Sequence, residues 1–140
     1  MKASVKASVK ASVKASVKAS VKERRAMEIT HEDYAVQYDA ETATIVCQGS
    51  FRLRGNEDYA PILQVLTQAA DAKPKTLTLD VRALRFLNSS GINTLSKFIL
   101  QVRQLSASQM VIKGSRAFPW QSKSLKNFQR LLPALQLEIE

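Results

Sequence analysis

The stretch from Leu77 to Leu105 most constrains the fold, because its hydrophobic period changes partway along. Apolar residues first alternate with polar ones at Leu77, Leu79 and Val81, which is the period of a half-buried strand. Apolar residues then recur at steps of three and four, which places them on one face of a helix. These helical positions are Ile92, Leu95, Phe98, Ile99, Val102 and Leu105. The stretch therefore predicts a strand followed by a long amphipathic helix.

The junction between these two elements reads Asn88-Ser89-Ser90-Gly91. Asn and Ser are favoured N-caps, because their short side chains accept hydrogen bonds from the free N–H groups of a helix start. Gly91 lets another backbone, or a partner, come close. A phosphate on Ser89 or Ser90 would be stabilised by the helix dipole, and would add roughly −1.5 to −2 charges. Two interpretations stay open: a regulatory phosphorylation site, or residues that only cap the helix.

The residues around the junction carry a resemblance to a known family. A strand, then L-x-F-L-N-S-S-G-I-x-x-L, then an apolar helix resembles the signature of the STAS domain, the fold of bacterial anti-sigma-factor antagonists. The resemblance implies that Ser89 is the phosphorylated serine and Ser90 its neighbour. It also implies that Asn88, Ser89, Ser90 and Gly91 bind a partner. The sequence departs from the family at Asn88, where an Asp is usual.

The resemblance implies a phosphorylation-switched interaction module for signal transduction and transcription regulation. Its tip around Ser89 would dock on a serine kinase or anti-sigma-type ATPase partner, and a PP2C-type phosphatase would reset it. The alternative is a constitutive scaffold or adaptor subunit without a phospho-switch, in which Asn88 marks the loss of the switch. A homodimer is left open.

The order of periodic segments predicts one α/β domain over residues 26–140, with the element order ββαβαβαβ. Helices between successive strands predict a mixed, mostly parallel sheet with helices on one face, as the STAS resemblance also implies. Residues 23–33 are predicted to be a charged link. The predicted strands are residues 34–38, 43–48, 77–81, 110–112 and 135–139, and the predicted helices are residues 58–70, 88–105 and 125–132.

Arg52 and Arg54 lie in a predicted loop, residues 49–56. The resemblance implies that this loop lies beside the phosphorylatable tip and contacts the partner. The two guanidinium groups would cradle a phosphate on Ser89 or pair with acids of a partner. The alternative is a solvated loop whose arginines cover apolar surface.

Three further residues are candidates for the same surface. Arg82 and Arg85 lie in the predicted link before the junction and could face the tip. Trp120 follows a proline at a predicted loop–helix junction, where it is either a core residue or an exposed anchor for a partner. We expect partial burial and include Trp120 among the partner-binding residues.

Residues 3–22 are five copies of Ala-Ser-Val-Lys, and we expect residues 1–25 to form a disordered, basic arm. The formal net charge is +9, of which Lys2 and the five repeat lysines supply six, which leaves +3 for the rest. The basic balance therefore predicts weak, salt-dependent contact of the arm with anionic surfaces, but no specific nucleic-acid binding.

The sequence offers little for catalysis, metal binding or a cofactor, and we predict none of the three. His31 is the only histidine, and the Gly-x-Ser-x-Gly nucleophile motif and the phosphate-binding glycine motifs are missing. Cys47 lies in an apolar segment, which favours a buried thiol in a reducing compartment. With no long apolar run and no apparent secretory signal, we expect a cytoplasmic protein.

Overall fold

Six strands lie side by side in one sheet, in the order in which they occur along the chain. The computed structural model describes residues 26–140, so the predicted disordered arm, residues 1–25, lies outside the described residues. The strands are β1 (Ala26–Thr30), β2 (Tyr34–Asp39), β3 (Thr44–Phe51), β4 (Thr76–Leu87), β5 (Gln109–Gly114) and β6 (Gln136–Ile139). The helices are α1 (Gly55–Asp71), α2 (Ser89–Leu105) and α3 (Pro119–Leu131).

The sheet is antiparallel at one side and parallel over the rest. β1, β2 and β3 pair antiparallel, and β3, β4, β5 and β6 pair parallel, with one helix in each crossover. Right-handed crossovers that all advance in one direction place their helices on the same face of the sheet. The predicted α/β domain with a mixed, mostly parallel sheet is confirmed.

The core lies between the sheet and the three helices. Apolar side chains of the central strands point to the helix side and pack against the apolar stripes of α1 and α2, so the buried area on this face drives folding. The fully buried side chains include Ile45, Leu66, Leu77, Leu79, Leu84, Leu95, Phe98 and Ile99. None of the helices within residues 26–140 has both the length and the hydropathy needed to cross a bilayer.

The first strand differs from the prediction. Residues 26–30, predicted to belong to a charged link, form β1 and pair with β2. Met27 and Ile29 are half-buried and alternate with exposed Glu28 and Thr30. The element order is therefore βββαβαβαβ, with one more strand than predicted. The two apolar residues are few and lie between charged segments, so the period-2 signal is short.

β4 is much longer than the predicted strand over residues 77–81. Its inward-facing residues lose the simple alternation after Val81, with the next ones at Leu84 and Leu87. The pairing of β4 with β3 shifts register twice over this stretch, so extra residues of β4 are accommodated as bulges. The segment predicted as a link is therefore bulged strand.

The loop predicted at residues 49–56 is shorter than expected. β3 continues to Phe51, and α1 begins at Gly55 with Arg54 as its N-cap residue, so the predicted N-cap Asp58 lies inside the helix. Pro61 also lies inside α1, beyond the first turn where it was expected. The acidic residues Glu57 and Asp58 are in the first turn, where they interact favourably with the helix dipole.

Candidate docking site at the start of helix α2

Asn88 connects β4 to α2, and its backbone N–H and side chain together make four hydrogen bonds. Its backbone N–H donates to the Phe51 carbonyl oxygen at 3.1 Å. Its Oδ1 accepts from the Gly91 N–H at 2.9 Å and from the Tyr59 hydroxyl at 2.7 Å. Its Nδ2 donates to the Leu53 carbonyl oxygen at 2.8 Å. The predicted N-cap is observed, and one side chain joins α1, the β3–α1 loop and α2.

The amide of Asn88 gives a physical reason for the departure from the Asp that is usual in STAS domains. A carboxylate could accept from Tyr59 and Gly91, but it has no N–H to donate to the Leu53 carbonyl. It would instead set a negative oxygen against the carbonyl oxygen. The Leu53 carbonyl therefore selects Asn at position 88.

Ser89 and Ser90 differ in exposure. Ser89 is exposed, whereas Ser90 is half-buried and its carbonyl oxygen accepts from the Thr94 hydroxyl at 3.0 Å. The first turn of α2 contains no acidic residue. Ser89 is thus the more accessible hydroxyl at the positive end of the helix dipole.

Gly91 is buried and allows close packing within the protein. A Cβ atom at this position would overlap the Leu87 side chain and lie 2.8 Å from the Tyr59 hydroxyl. The glycine therefore lets the start of α2 approach β4 and α1; the sequence left open a close approach by another backbone or by a partner.

Arg52 and Phe86 form an exposed pair beside the tip. The Arg52 guanidinium carbon lies 4.7 Å from the centroid of the Phe86 ring, and Phe86 is 38% exposed. The strand register brings them together, because Ser50 pairs with Phe86 near the ends of β3 and β4. We call Arg52, Phe86 and Ser89 the tip surface. Phe86 was not a predicted site residue. It belongs to the L-x-F-L pattern of the sequence, and the bulge of β4 just before it turns its side chain outward.

The other predicted partner-binding residues are arranged differently. Arg54 is exposed at the N-cap position of α1, and its side chain makes no capping hydrogen bond. Trp120 is half-buried in the first turn of α3, and its indole N–H donates to the Leu84 carbonyl oxygen at 2.9 Å. This bond satisfies the polar end of the ring, so Trp120 holds α3 against β4.

Arg82 and Arg85 lie on β4, and Arg82 is committed to the sheet. Its guanidinium pairs with the Asp80 carboxylate at 2.7 Å and with Glu140 at 3.0 Å. Arg85 is exposed and lines a shallow depression with His31. The expectation that Arg82 faces the tip is therefore wrong, because two carboxylates bind its side chain elsewhere.

Asp80 and Cys47, which are both buried, have perturbed pKa values. Burial acts to raise the pKa of Asp80, but hydrogen bonds from Arg82 and the charges of Arg82 and Lys113 outweigh it, and the pKa lies below its ordinary value. Burial, with a smaller contribution from the Asp80 charge, raises the pKa of the Cys47 thiol to about 12. Cys47 is therefore a packed thiol with little thiolate at neutral pH.

The described residues contain no clear catalytic or metal-binding constellation. Within residues 26–140, no group of His, Cys, Asp and Glu side chains is placed to hold a metal ion. His31 is exposed before β2, and its ring stacks on Tyr34 with centroids 4.9 Å apart. The absence of an enzymatic activity and the expected cytoplasmic location both stay predictions.

The fold is similar to solved structures of SiaC from Pseudomonas aeruginosa. SiaC aligns with a TM-score of 0.63 and 15% identity, over 82% of this chain and 97% of that chain. A structure of apo-SiaC aligns with a TM-score of 0.60 and 15% identity, over 82% and 98% of the two chains. A chain in the crystal structure of diguanylate cyclase SiaD in complex with its activator SiaC, from the same organism, aligns at 0.61 and 16%, over 81% and 99%. No protein-family model and no curated protein matches the sequence.

These likenesses support the STAS-like fold, and they correct the predicted partners. The expectation of a serine kinase or anti-sigma-type ATPase with a PP2C-type phosphatase is wrong, because the similar protein SiaC is described in complex with diguanylate cyclase SiaD. The N-S-S-G pattern indicates where α2 starts, which is a feature of the fold. A fold does not determine the partner, so the pattern could not identify it. SiaC is described as the activator of its partner enzyme, which is the kind of role that the adaptor alternative describes.

Proposed function

We propose that this chain is a non-catalytic interaction module that binds a partner enzyme through the tip surface and needs no phosphorylation to do so. The likeness in fold to SiaC supports this function, since SiaC is described as the activator of diguanylate cyclase SiaD. A diguanylate cyclase is therefore the first partner to test.

The exposed pair of Arg52 and Phe86 is the observation that carries the proposal. Aromatic and arginine side chains are enriched among the residues that dominate interface energies. Phe86 and Leu100, each 38% exposed, are the two exposed large apolar side chains within residues 26–140. A partner that covered the ring would remove its apolar surface from water and strengthen its contact with the guanidinium.

The surroundings of this pair favour docking at low entropic cost. Asn88 fixes the ends of β4 and the β3–α1 loop through its hydrogen bonds to Tyr59, Gly91 and Leu53. A surface that is already ordered loses little conformational freedom when it binds. Partner binding through a preformed tip therefore needs no rearrangement of this chain.

The test is binding to, and activation of, a purified diguanylate cyclase encoded in the same genome. We expect Phe86→Ala and Arg52→Ala each to weaken binding at least about tenfold, as at an interface hot spot, and to reduce cyclic di-GMP formation. Lys75→Ala is the matched control, because Lys75 is exposed just before β4, at the end of that strand away from the tip. Unchanged binding of both tip variants would refute the proposal that the partner binds through the tip surface.

A phospho-switch at Ser89 is the second candidate, favoured by the exposure of Ser89 at a helix start without acidic residues. The same binding assay separates the two functions. A switch predicts that Ser89→Asp loses binding about tenfold or more while Ser89→Ala binds like the parent. The constitutive module predicts that both variants bind within a factor of about three of the parent.

A further inference from the structure

The helical layer has an uneven distribution of charge. The sequence has no Asp or Glu between Asp80 and Glu138. α2 and α3 therefore contain only basic charges, and all of these side chains are exposed. They are Lys97, Arg103, Lys123, Lys126 and Arg130. α1 has the opposite character, with Glu57, Asp58 and Asp71 and no basic residue.

The five basic side chains of α2 and α3 have no carboxylate partner within residues 26–140. Both ion pairs in that part of the chain are made by Arg82. Arg103 is in the last turn of α2, and its guanidinium reaches α3, where it donates to the Leu131 carbonyl oxygen at 3.5 Å. Unpaired like charges on one surface repel each other and attract an acidic partner.

Apolar contact is available on α2 itself and on the side of α2 that faces α1. Leu100 is 38% exposed on α2, one turn after Lys97. Lys97 lines a groove of about 290 Å³ between α1 and α2, together with Leu63 and Thr94. An amphipathic segment of a partner can bind a groove flanked by charges, because its apolar side chains enter the groove and its charged side chains pair with those at the rim of the groove.

We propose that the basic face, defined as the exposed residues of α2 and α3 including Leu100, binds an acidic amphipathic segment of a protein partner. The carboxylates of the partner segment pair with the lysines of the basic face, and an apolar side chain of the segment contacts Leu100 and the groove. Glu57 and Asp58 at the start of α1 repel acidic residues and so set the direction of the segment. This inference rests on the proposed function but uses a surface other than the tip.

Two other polyanions fit this surface less well. Single-stranded nucleic acid binds through aromatic stacking as well as charge, but Phe98 and Phe128 of these helices are buried and the Trp120 N–H is bonded to Leu84. A lipid surface requires a broad apolar face on an interfacial helix, whereas Leu100 is the single large apolar side chain exposed on α2 and α3.

The test is a titration of the isotope-labelled full chain with a synthetic peptide of Glu and Leu at helical spacing. Binding is followed by amide chemical shifts at about 0.15 M salt. At this ionic strength the Debye length is about 8 Å, so charges on distant surfaces of the protein contribute little to binding. We expect shifts at Lys97, Leu100 and Lys126. Lys123→Glu with Lys126→Glu should weaken binding about tenfold. The control, Lys73→Glu with Lys75→Glu, changes the net charge equally and should bind within a factor of about two of the parent.

Shifts confined to residues 1–25, or an equal loss in both double variants, would overturn the basic face. An oligo(dT) strand or phosphatidylserine vesicles that bound the same residues more tightly than the peptide would overturn the choice of a protein segment. The proposed function is tested separately by Phe86→Ala in the cyclase assay. If the peptide titration contradicts the basic face, the proposal for the tip surface is not affected. If Phe86→Ala and Arg52→Ala both bind the cyclase like the parent, the result of the peptide titration is not affected.

Discussion

The hydroxyl of Tyr59 and the side-chain oxygen of Asn88 lie 2.7 Å apart and join α1 to the start of α2. Tyr59 is 1% exposed, so its hydroxyl needs a partner inside the protein. Its ring meets Phe51 edge-on, with centroids 6.1 Å apart. Burial raises the pKa of Tyr59, and a backbone hydrogen bond at Leu53 partly offsets this. Tyr59 is therefore a neutral donor that fixes the oxygen which also caps α2.

Asn88→Asp should destabilise the protein, although Asp is the usual residue of the resembled family. The carboxylate loses the 2.8 Å hydrogen bond to the Leu53 carbonyl, and the loss of such a partner costs about 1–3 kcal/mol. Urea unfolding at neutral pH measures the change in the free energy of unfolding.

Asn127→Asp is the matched control, because Asn127 is exposed on α3 and should change the free energy of unfolding by less than about 0.5 kcal/mol. Equal stability of Asn88→Asp and the parent would show that the Leu53 carbonyl does not select the amide.

Gly91→Ala should destabilise the protein by about 1–3 kcal/mol, because a side chain is added to a packed position. The new Cβ would overlap Leu87 and lie 2.8 Å from the Tyr59 hydroxyl. Alanine favours helices over glycine by up to about 1 kcal/mol, so a purely local effect would have the opposite sign. Thermal unfolding, with Asn93→Ala at an exposed position of the same turn as control, distinguishes the two.

The parallel part of the fold was predictable, because each element there is long and has one clear period. Helix α2 and its cap could be predicted from Asn88 and the apolar stripe that follows. Strand β1 could not, since only Met27 and Ile29 mark its buried side, and its stability comes from pairing with β2. The end of β4 was hidden because bulges break the period after Val81.

The candidate site was predicted in part. Ser89 at an exposed helix start followed from local sequence, but the pair of Arg52 and Phe86 depends on the register between β3 and β4. The pairing of Arg82 with Glu140 joins residues far apart in sequence, which no local pattern shows. The partner was beyond prediction because surface chemistry, and not the fold, selects it.

Gln121→Leu should cost about 2–4 kcal/mol of the free energy of unfolding, since it breaks hydrogen bonds of buried backbone groups. Gln121 is fully buried; its Nε2 donates to the Val81 carbonyl at 2.8 Å, and its Oε1 accepts from the Ser115 N–H at 2.8 Å. Both groups would lose these bonds, whereas the Leu84 carbonyl keeps its bond from Trp120.

Urea unfolding of Gln121→Leu should be compared with that of Gln104→Leu, the same change at an exposed position of α2. A loss no larger than that of Gln104→Leu would mean that the bulge of β4 does not need the Gln121 amide.

Arg82→Gln should remove a pH-dependent part of the stability. Burial acts to raise the pKa of Asp80, and in the parent the hydrogen bonds and charge of Arg82 overcome this and lower it. A carboxyl whose pKa is lower in the folded state stabilises the protein above its unfolded pKa of about 3.9, and this stabilisation is lost as the pH falls below that value. Without Arg82, burial dominates and the pKa of Asp80 rises.

The loss of stability in Arg82→Gln should therefore be greatest near pH 7 and shrink as the pH falls, first as Asp80 of the variant is protonated at its raised pKa and then as Asp80 of the parent is protonated at its lowered pKa. Urea unfolding at a series of pH values measures this, and carboxyl NMR shifts follow Asp80 directly. Arg85→Gln, at an exposed position of the same strand, should show little loss at any pH. A deficit of Arg82→Gln that stayed constant from pH 7 to pH 3 would mean that Arg82 stabilises the sheet through packing and not through the charge of Asp80.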